Sequence, residues 1–274
     1  MNFNDIDKKY CLFIGFEGMD ASYKETNAKA LYSYLKDKYF KERVDKGELQ
    51  ILFFSFPNYD SESSYFVRQY LAGKYKNDVY NLYTVTSFYM MDMYDTLNTV
   101  NIDKPTIIIF DRYYYSQMYY LTKISHTNIK YLDNNYNDKE RVINVIKNII
   151  NGIEDTANYT FLLPKLNFLF KMYSDKETMI NTIEMRSKEK GKALDEYEKD
   201  IEYLLSVREV FLNDKYINKT LLANSTGNED ILYNICVNFK NREQVFDDVK
   251  VAINNTLIKY KSILDEYWET KKDV

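Results

Sequence analysis

The stretch Phe13-Ile14-Gly15-Phe16-Glu17-Gly18-Met19-Asp20-Ala21-Ser22-Tyr23-Lys24-Glu25-Thr26-Asn27-Ala28-Lys29 reads as a buried strand, a turn and the start of a helix. Tyr10–Gly15 is a continuous apolar run bounded by polar residues, the pattern of a central parallel strand. Downstream, Ala28, Leu31, Tyr32, Leu35 and Tyr39 recur at helical spacing as far as about Phe40. A turn at such a junction holds phosphates. Backbone N–H groups line it, the helix N-terminus adds partial positive charge, and a lysine in the first helical turn reaches the outer phosphates. The full pattern is G-x-x-x-x-G-K-[ST]. Gly18, Lys24 and, one place late, Thr26 match it, whereas Tyr23 replaces the second glycine and Glu25 the hydroxyl. Both departures have physical weight. A tyrosine held at the positive φ of that glycine costs on the order of 1–3 kcal/mol. A carboxylate at position 25 can ligate Mg²⁺ or repel a triphosphate.

Four more apolar strand-like runs follow, at Leu52–Ser55, Thr106–Phe110, Leu166–Met172 and Leu232–Phe239. Helical patterns lie between them, including Asp78–Val100, Lys139–Ile153, Lys176–Arg186 and about Asp195–Asn213, with a closing helix from Glu243 to about Tyr267. Strands alternating with helices predict one α/β domain over 1–274. Its five-stranded parallel sheet would be flanked by helices on both faces, a three-layer fold of the P-loop NTPase type. Ligands in such folds sit at the carboxyl ends of the strands.

Composition narrows the function classes. The chain has 274 residues, a 45% hydrophobic share and only 7 Gly and 3 Pro, which suits a sizeable core with long helices and few linkers. A net charge of −4 argues against a general nucleic-acid partner, which needs a basic surface. No apolar run of about 18 residues occurs and Met1–Lys9 is polar, so we expect no membrane partner and a cytoplasmic location. Cys11 and Cys236 sit in apolar runs and read as buried thiols. A single histidine, His126, argues against Ser-His and Cys-His catalysis, which would have to rest on that one residue, and against most zinc sites. The 28 tyrosines accompany abundant Asn, Lys and Ile, residues with A/T-rich codons, and carry no functional reading by number.

The third apolar run ends in Asp111-Arg112-Tyr113. An aspartate there can hold Mg²⁺ through water, and the next arginine can clamp a phosphate in a bidentate manner. With Ser116 and Tyr120 just beyond, this segment resembles the Asp-Arg-Tyr-x-x-Ser of thymidylate kinases. Phe16-Glu17-Gly18-Met19-Asp20 with Lys24 likewise resembles that family's Phe-Glu-Gly-x-Asp-Gly-x-Gly-Lys-Ser-Thr-Gln. So do Phe56-Pro57 after the second strand and Tyr70-Leu71-Ala72-Gly73 at the end of the next helix. The likeness runs from Tyr10 to about Asn255 and lapses over 122–136 and 218–229.

The resemblance implies a nucleoside monophosphate kinase that moves the γ-phosphoryl of ATP, with Mg²⁺, to a pyrimidine deoxynucleotide, dTMP or dUMP. It implies catalytic roles for Lys24, Asp111, Arg112, Arg186 and Lys188. Gly18, Ser22, Lys24, Glu25, Thr26 and Lys190 would hold ATP, and Glu25 or Thr26 with Asp111 would hold the metal. Asp20, Phe56, Tyr89, Met93, Arg112, Tyr113, Ser116 and Tyr120 would surround the acceptor, Tyr89 stacking on the base. Met93 stands where the family has a base-reading arginine, and Leu121 where many members have glutamine, which separates this chain from a strict thymine reader. Arg186–Lys192 resembles the family's lid, expected at about 186–195, and a helical extension is expected at about 256–274. With Ala21 at the loop position where some members carry arginine, the lid cations Arg186, Lys188, Lys190 and Lys192 would supply that charge. The family usually dimerises, so a homodimer is among the implied partners. A competing class is a catalytically impaired relative, acting as a nucleotide sensor or a structural and interaction subunit, which Tyr23, Glu25 and Met93 favour.

Overall fold

The computed structural model describes residues 1–3, 6–19, 22–75, 82–120, 144, 148, 150–190, 200–213 and 232–272. Its centre is a five-stranded, wholly parallel sheet of β2 (Cys11–Gly18), β3 (Gln50–Ser55), β5 (Thr106–Asp111), β6 (Phe168–Tyr173) and β7 (Leu232–Cys236). They lie in the order β3-β5-β2-β6-β7. Two short strands, β1 (Asn2–Phe3) and β4 (Asn101–Ile102), form a separate parallel pair that the sequence patterns do not reveal.

Alternation along the strands builds a core on each face of the sheet. Leu12, Ile14, Phe16, Ile107, Ile109, Phe168 and Phe170 join one buried cluster with α1 (Lys24–Tyr34) and the long C-terminal helix Arg242–Lys272. Phe13, Ile108, Phe110 and Leu169 join the other, against α4 (Leu82–Asn98) and the helical residues 115–120. Strands buried on both faces are why their sequences read as unbroken apolar runs. The register sets Phe16 opposite Asp111, and Asp111 opposite Ser55, at the carboxyl edge of the sheet. Gly18 lies one step further, opposite Met172.

Several boundaries differ from the sequence reading. The first helix gives way to a π-type turn at Leu35–Tyr39, closed by Phe40 N–H donating to the Leu35 carbonyl over 2.9 Å. The last strand stops at Cys236. Phe239 has φ 55° and is 96% exposed, so the apolar end of that run is a turn. The closing helix is continuous from Arg242 to Lys272 and is anchored at its far end, where the Trp268 indole donates to the Glu48 carbonyl over 3.2 Å. The helix that begins at Lys176 continues to Lys190, so the first part of the expected lid is helical. The remainder of the lid at 191–195, with Lys192, and the segments 122–136 and 218–229 lie outside the described residues. No helix of the described residues is long and apolar enough to cross a membrane.

Candidate active site

The phosphate loop begins where β2 ends. A side chain on Gly18 would come within 2.4 Å of the Ser22 hydroxyl and 2.7 Å of the Met172 carbonyl, so the loop folds back onto a position only glycine fits. Ser22 is fully buried and donates to the Met19 carbonyl over 2.8 Å. Tyr23 then takes φ 59° and ψ 18°, the left-handed conformation, and caps α1. Its carbonyl accepts both the backbone N–H of Asn27, at 3.0 Å, and the Asn27 side-chain amide, at 2.8 Å. The neighbours thus impose on tyrosine the shape a glycine would take unaided, against a cost of roughly 1–2 kcal/mol. The Tyr23 ring packs on the core cluster beneath α1. Lys24 is 9% exposed, and its ammonium donates to the Met19 carbonyl over 3.3 Å.

The expectation for Glu25 does not fit this geometry. Its carboxylate is 57% exposed and paired with Lys29 at 2.6 Å, one turn along the helix. Thr26 is exposed as well. Asp20 and Ala21 lie outside the described residues.

Asp111 closes β5 and is only 5% exposed. Its Oδ2 accepts the Ser55 hydroxyl at 2.9 Å, while Oδ1 is buried with no hydrogen-bond partner among the described residues. A buried, half-satisfied carboxylate is costly unless something completes it. Asp111 therefore fits a cation, directly or through water. Among the described residues no three of His, Cys, Asp and Glu come together, so a metal here would draw its remaining ligands from phosphate and water, as Mg²⁺ commonly does.

Arg112 takes φ 62° and so, like Tyr23, sits in the left-handed region. Its N–H donates to the Phe16 carbonyl over 3.0 Å, extending the β2–β5 ladder by one bond. The guanidinium lies 5.8 Å over the Tyr120 ring and reaches the Tyr120 hydroxyl at 3.5 Å. Immediately behind, Glu17 is 1% exposed. It accepts the backbone N–H groups of Tyr113 (2.7 Å) and Ser116 (3.1 Å), together with a short bond from the Ser116 hydroxyl. Burial pushes the Glu17 carboxyl up to about 7, while the Ser116 hydroxyl, Arg112, the Tyr113 N–H and Lys24 oppose that rise.

Of the predicted acceptor residues, the structure brings Tyr89, Arg112 and Tyr120 together. Tyr89 is half-buried. Burial pushes its phenol well above the usual range, with Tyr59 and Arg112 close enough to act on it electrostatically, along with Tyr120 and Tyr203. Phe56, Met93, Tyr113 and Ser116 are instead enclosed. Phe56 and Met93 belong to the core cluster, Tyr113 donates its hydroxyl to the Pro164 carbonyl over 3.0 Å, and Ser116 is bound to Glu17. Arg186, Lys188 and Lys190 lie at the end of the helix Lys176–Lys190, and their side chains fall outside the described residues.

Sequence reasoning passed over three buried charges. Glu17 was legible as a carboxylate inside an apolar strand, yet its partners come from 96 to 99 residues away. Asp92 is fully buried on α4 and accepts Asn58 N–H (2.8 Å), Ser61 Oγ (2.8 Å) and Ser63 Oγ (3.3 Å), fixing the loop after β3. Lys171 on β6, opposite Glu17 in the register, places its ammonium 4.7 Å from the Phe211 ring and 5.7 Å from the Tyr119 ring.

Known proteins resemble this chain. Residues 16–137 match the family model for thymidylate kinase. The putative thymidylate kinase 251L of Invertebrate iridescent virus 6 is 31% identical over 105 residues, which are 38% of this chain and 45% of that protein. The chain thus spans less than half the length of the curated relative it matches. Among solved structures, thymidylate kinase from Candida albicans superposes with a TM-score of 0.57 at 18% identity, covering 89% of this chain and 92% of that one. The Ehrlichia chaffeensis enzyme gives 0.51 at 16% identity, covering 89% and 98%. At those identities the structural likeness shows the fold.

Proposed function

We propose, from the match of residues 16–137 to the family model for thymidylate kinase, that the chain is a nucleoside monophosphate kinase acting on a pyrimidine deoxynucleotide, dTMP or dUMP, with ATP. The observation that carries this reading is the loop itself. Tyr23 holds the left-handed conformation, the one a glycine takes unaided, directly in front of a buried Lys24, which supports a loop able to hold phosphates despite the broken sequence pattern.

In this reading Lys24 and the N–H groups at the start of α1 hold the donor phosphates, and Arg112 holds the acceptor's monophosphate. The P–O bond between the β- and γ-phosphates breaks as the γ-phosphorus bonds to an oxygen of the acceptor phosphate, and ADP leaves. That oxygen is already ionised, so no histidine or other base is required. Catalysis is positioning and charge neutralisation. Mg²⁺, when bound, supplies neutralisation of the β- and γ-phosphate charge, and Asp111 is the residue that would hold it. Tyr89, beside Arg112 and Tyr120, faces the acceptor. With Met93 buried and no arginine in its place, the base is read by shape and stacking more than by hydrogen bonds. Arg186 and Lys188 would close over the transferring group.

An ADP-release assay with ATP–Mg²⁺ and either dTMP or dUMP tests this. Turnover with one or both is expected and should fall with Arg112→Ala. ATP binding without turnover on any deoxynucleoside monophosphate would overturn the kinase reading in favour of a sensor.

A further inference from the structure

We propose that Glu17 is a positioning residue that ties the phosphate loop to the Arg112 segment, so that the donor and acceptor grips are held as one body; this rests on the kinase reading above. The main-chain link between β2 and β5 ends with Arg112 N–H donating to the Phe16 carbonyl. One residue on, the two chains part, β2 into the loop that leads to Lys24 and β5 into the helical residues 115–120. Glu17 sits at that fork. Its carboxylate spans the gap and takes three donors, two main-chain N–H groups and one hydroxyl, all from the three residues after Tyr113 or Tyr113 itself.

Two features separate this from a simple helix cap. First, the acceptor comes from the strand that starts the phosphate loop, whereas an N-cap is supplied by the residue in front of its own helix. Second, Lys24 and Arg112, the two cations assigned to opposite phosphates, both act electrostatically on this one carboxylate. A buried carboxylate is expensive unless fully hydrogen-bonded, and an apolar side chain would fill the space more cheaply while leaving the fork untied. In phosphoryl transfer the separation and alignment of donor and acceptor carry most of the rate, so loosening the fork should reduce turnover while each grip still binds.

The test compares wild-type protein with Glu17→Gln, which keeps one carbonyl acceptor and similar volume, and Ser116→Ala, which removes a single donor. For Glu17→Gln we expect kcat to fall about tenfold or more while KM for ATP and for dTMP each change by less than about threefold. Ser116→Ala should lose about threefold in kcat. Amide hydrogen exchange in the absence of nucleotide gives a readout independent of activity. In Glu17→Gln, exchange should rise at Tyr113 and Ser116 and also at Ser22 and Tyr23 in the loop. Faster exchange confined to Tyr113 and Ser116, with kcat unchanged per folded molecule, would make Glu17 a local cap and overturn the proposal. If wild-type protein shows no kinase activity at all, the functional reading fails by itself, and joint or separate loosening of the two segments still decides whether Glu17 ties them.

Discussion

The donor and acceptor sides of the site are held in different ways. The donor loop is fixed mainly by contacts close in sequence, Ser22 on the Met19 carbonyl and Asn27 on the Tyr23 carbonyl, with Gly18 pressed against Ser22 and, across the sheet, against Met172. The acceptor side is fixed by buried carboxylates reaching in from other elements, Glu17 from β2 and Asp92 from α4. A loop clamped locally through its main chain can absorb a change of side chain, which is why Tyr23 stands where glycine is expected without altering the turn. A surface pinned by single distant carboxylates has no such tolerance. Departures from the thymidylate kinase pattern fall on both sides, Tyr23 and Glu25 at the loop and Met93 and Leu121 on the acceptor side, and the loop is the side better able to bear them.

Substitutions can break or sharpen that contrast. The largest effect should come from Lys24→Ala, because the lysine is the group assigned to the donor phosphates; we expect kcat/KM for ATP to fall roughly 100- to 1000-fold in steady-state assays, with little change in the melting temperature. Gly18→Ala should be the donor loop's weak point. Its new methyl meets a backbone carbonyl at 2.7 Å, so a loss of about 1–3 kcal/mol in stability and a raised KM for ATP are expected in denaturation and kinetic measurements. On the acceptor side, Asp92→Asn should cost about 2 kcal/mol in urea unfolding, since a buried acceptor of three hydrogen bonds becomes partly a donor. It should raise KM for dTMP more than KM for ATP.

A further effect is one of pH. The Glu17 carboxyl titrates at about 7 in the folded chain, above its ordinary 4.5. Between those values the folded state keeps a proton that the unfolded state has released. Stability from this group is therefore greatest at the acid end, declines as pH rises from about 4.5 to about 7, and is flat beyond. The span is on the order of 3 kcal/mol. Asp92, raised by burial, adds a contribution of the same sign. Glu17→Gln should flatten the profile between pH 5 and pH 8 in thermal melts; an unchanged slope would place the titration elsewhere.

The fold was legible because the three central strands are buried on both faces and so announce themselves as apolar runs, and because Gly18 and Lys24 mark a turn whose geometry few other patterns demand. Boundaries were less so. Phe239 is apolar yet almost wholly exposed, and a run of residue types cannot show where a ladder's partner strand ends. Among the candidate site residues, Asp111 and Arg112 stood out because they end an apolar strand, and Lys24 because it opens the helix after one. Glu25 misled, since a carboxylate beside the lysine reads as a metal ligand until the helix turns it toward Lys29. Glu17 and Asp92 carried no local signal of their task, because their hydrogen-bond partners are brought close only by the folded sheet and helix packing.

The central claim is that the altered loop still grips a triphosphate, and calorimetric titration of ATP with Mg²⁺ into wild-type protein and Lys24→Ala tests it most directly. The account predicts saturable one-site heat for wild-type and binding at least tenfold weaker in the variant. No heat in either protein, or the same affinity in both, would contradict it.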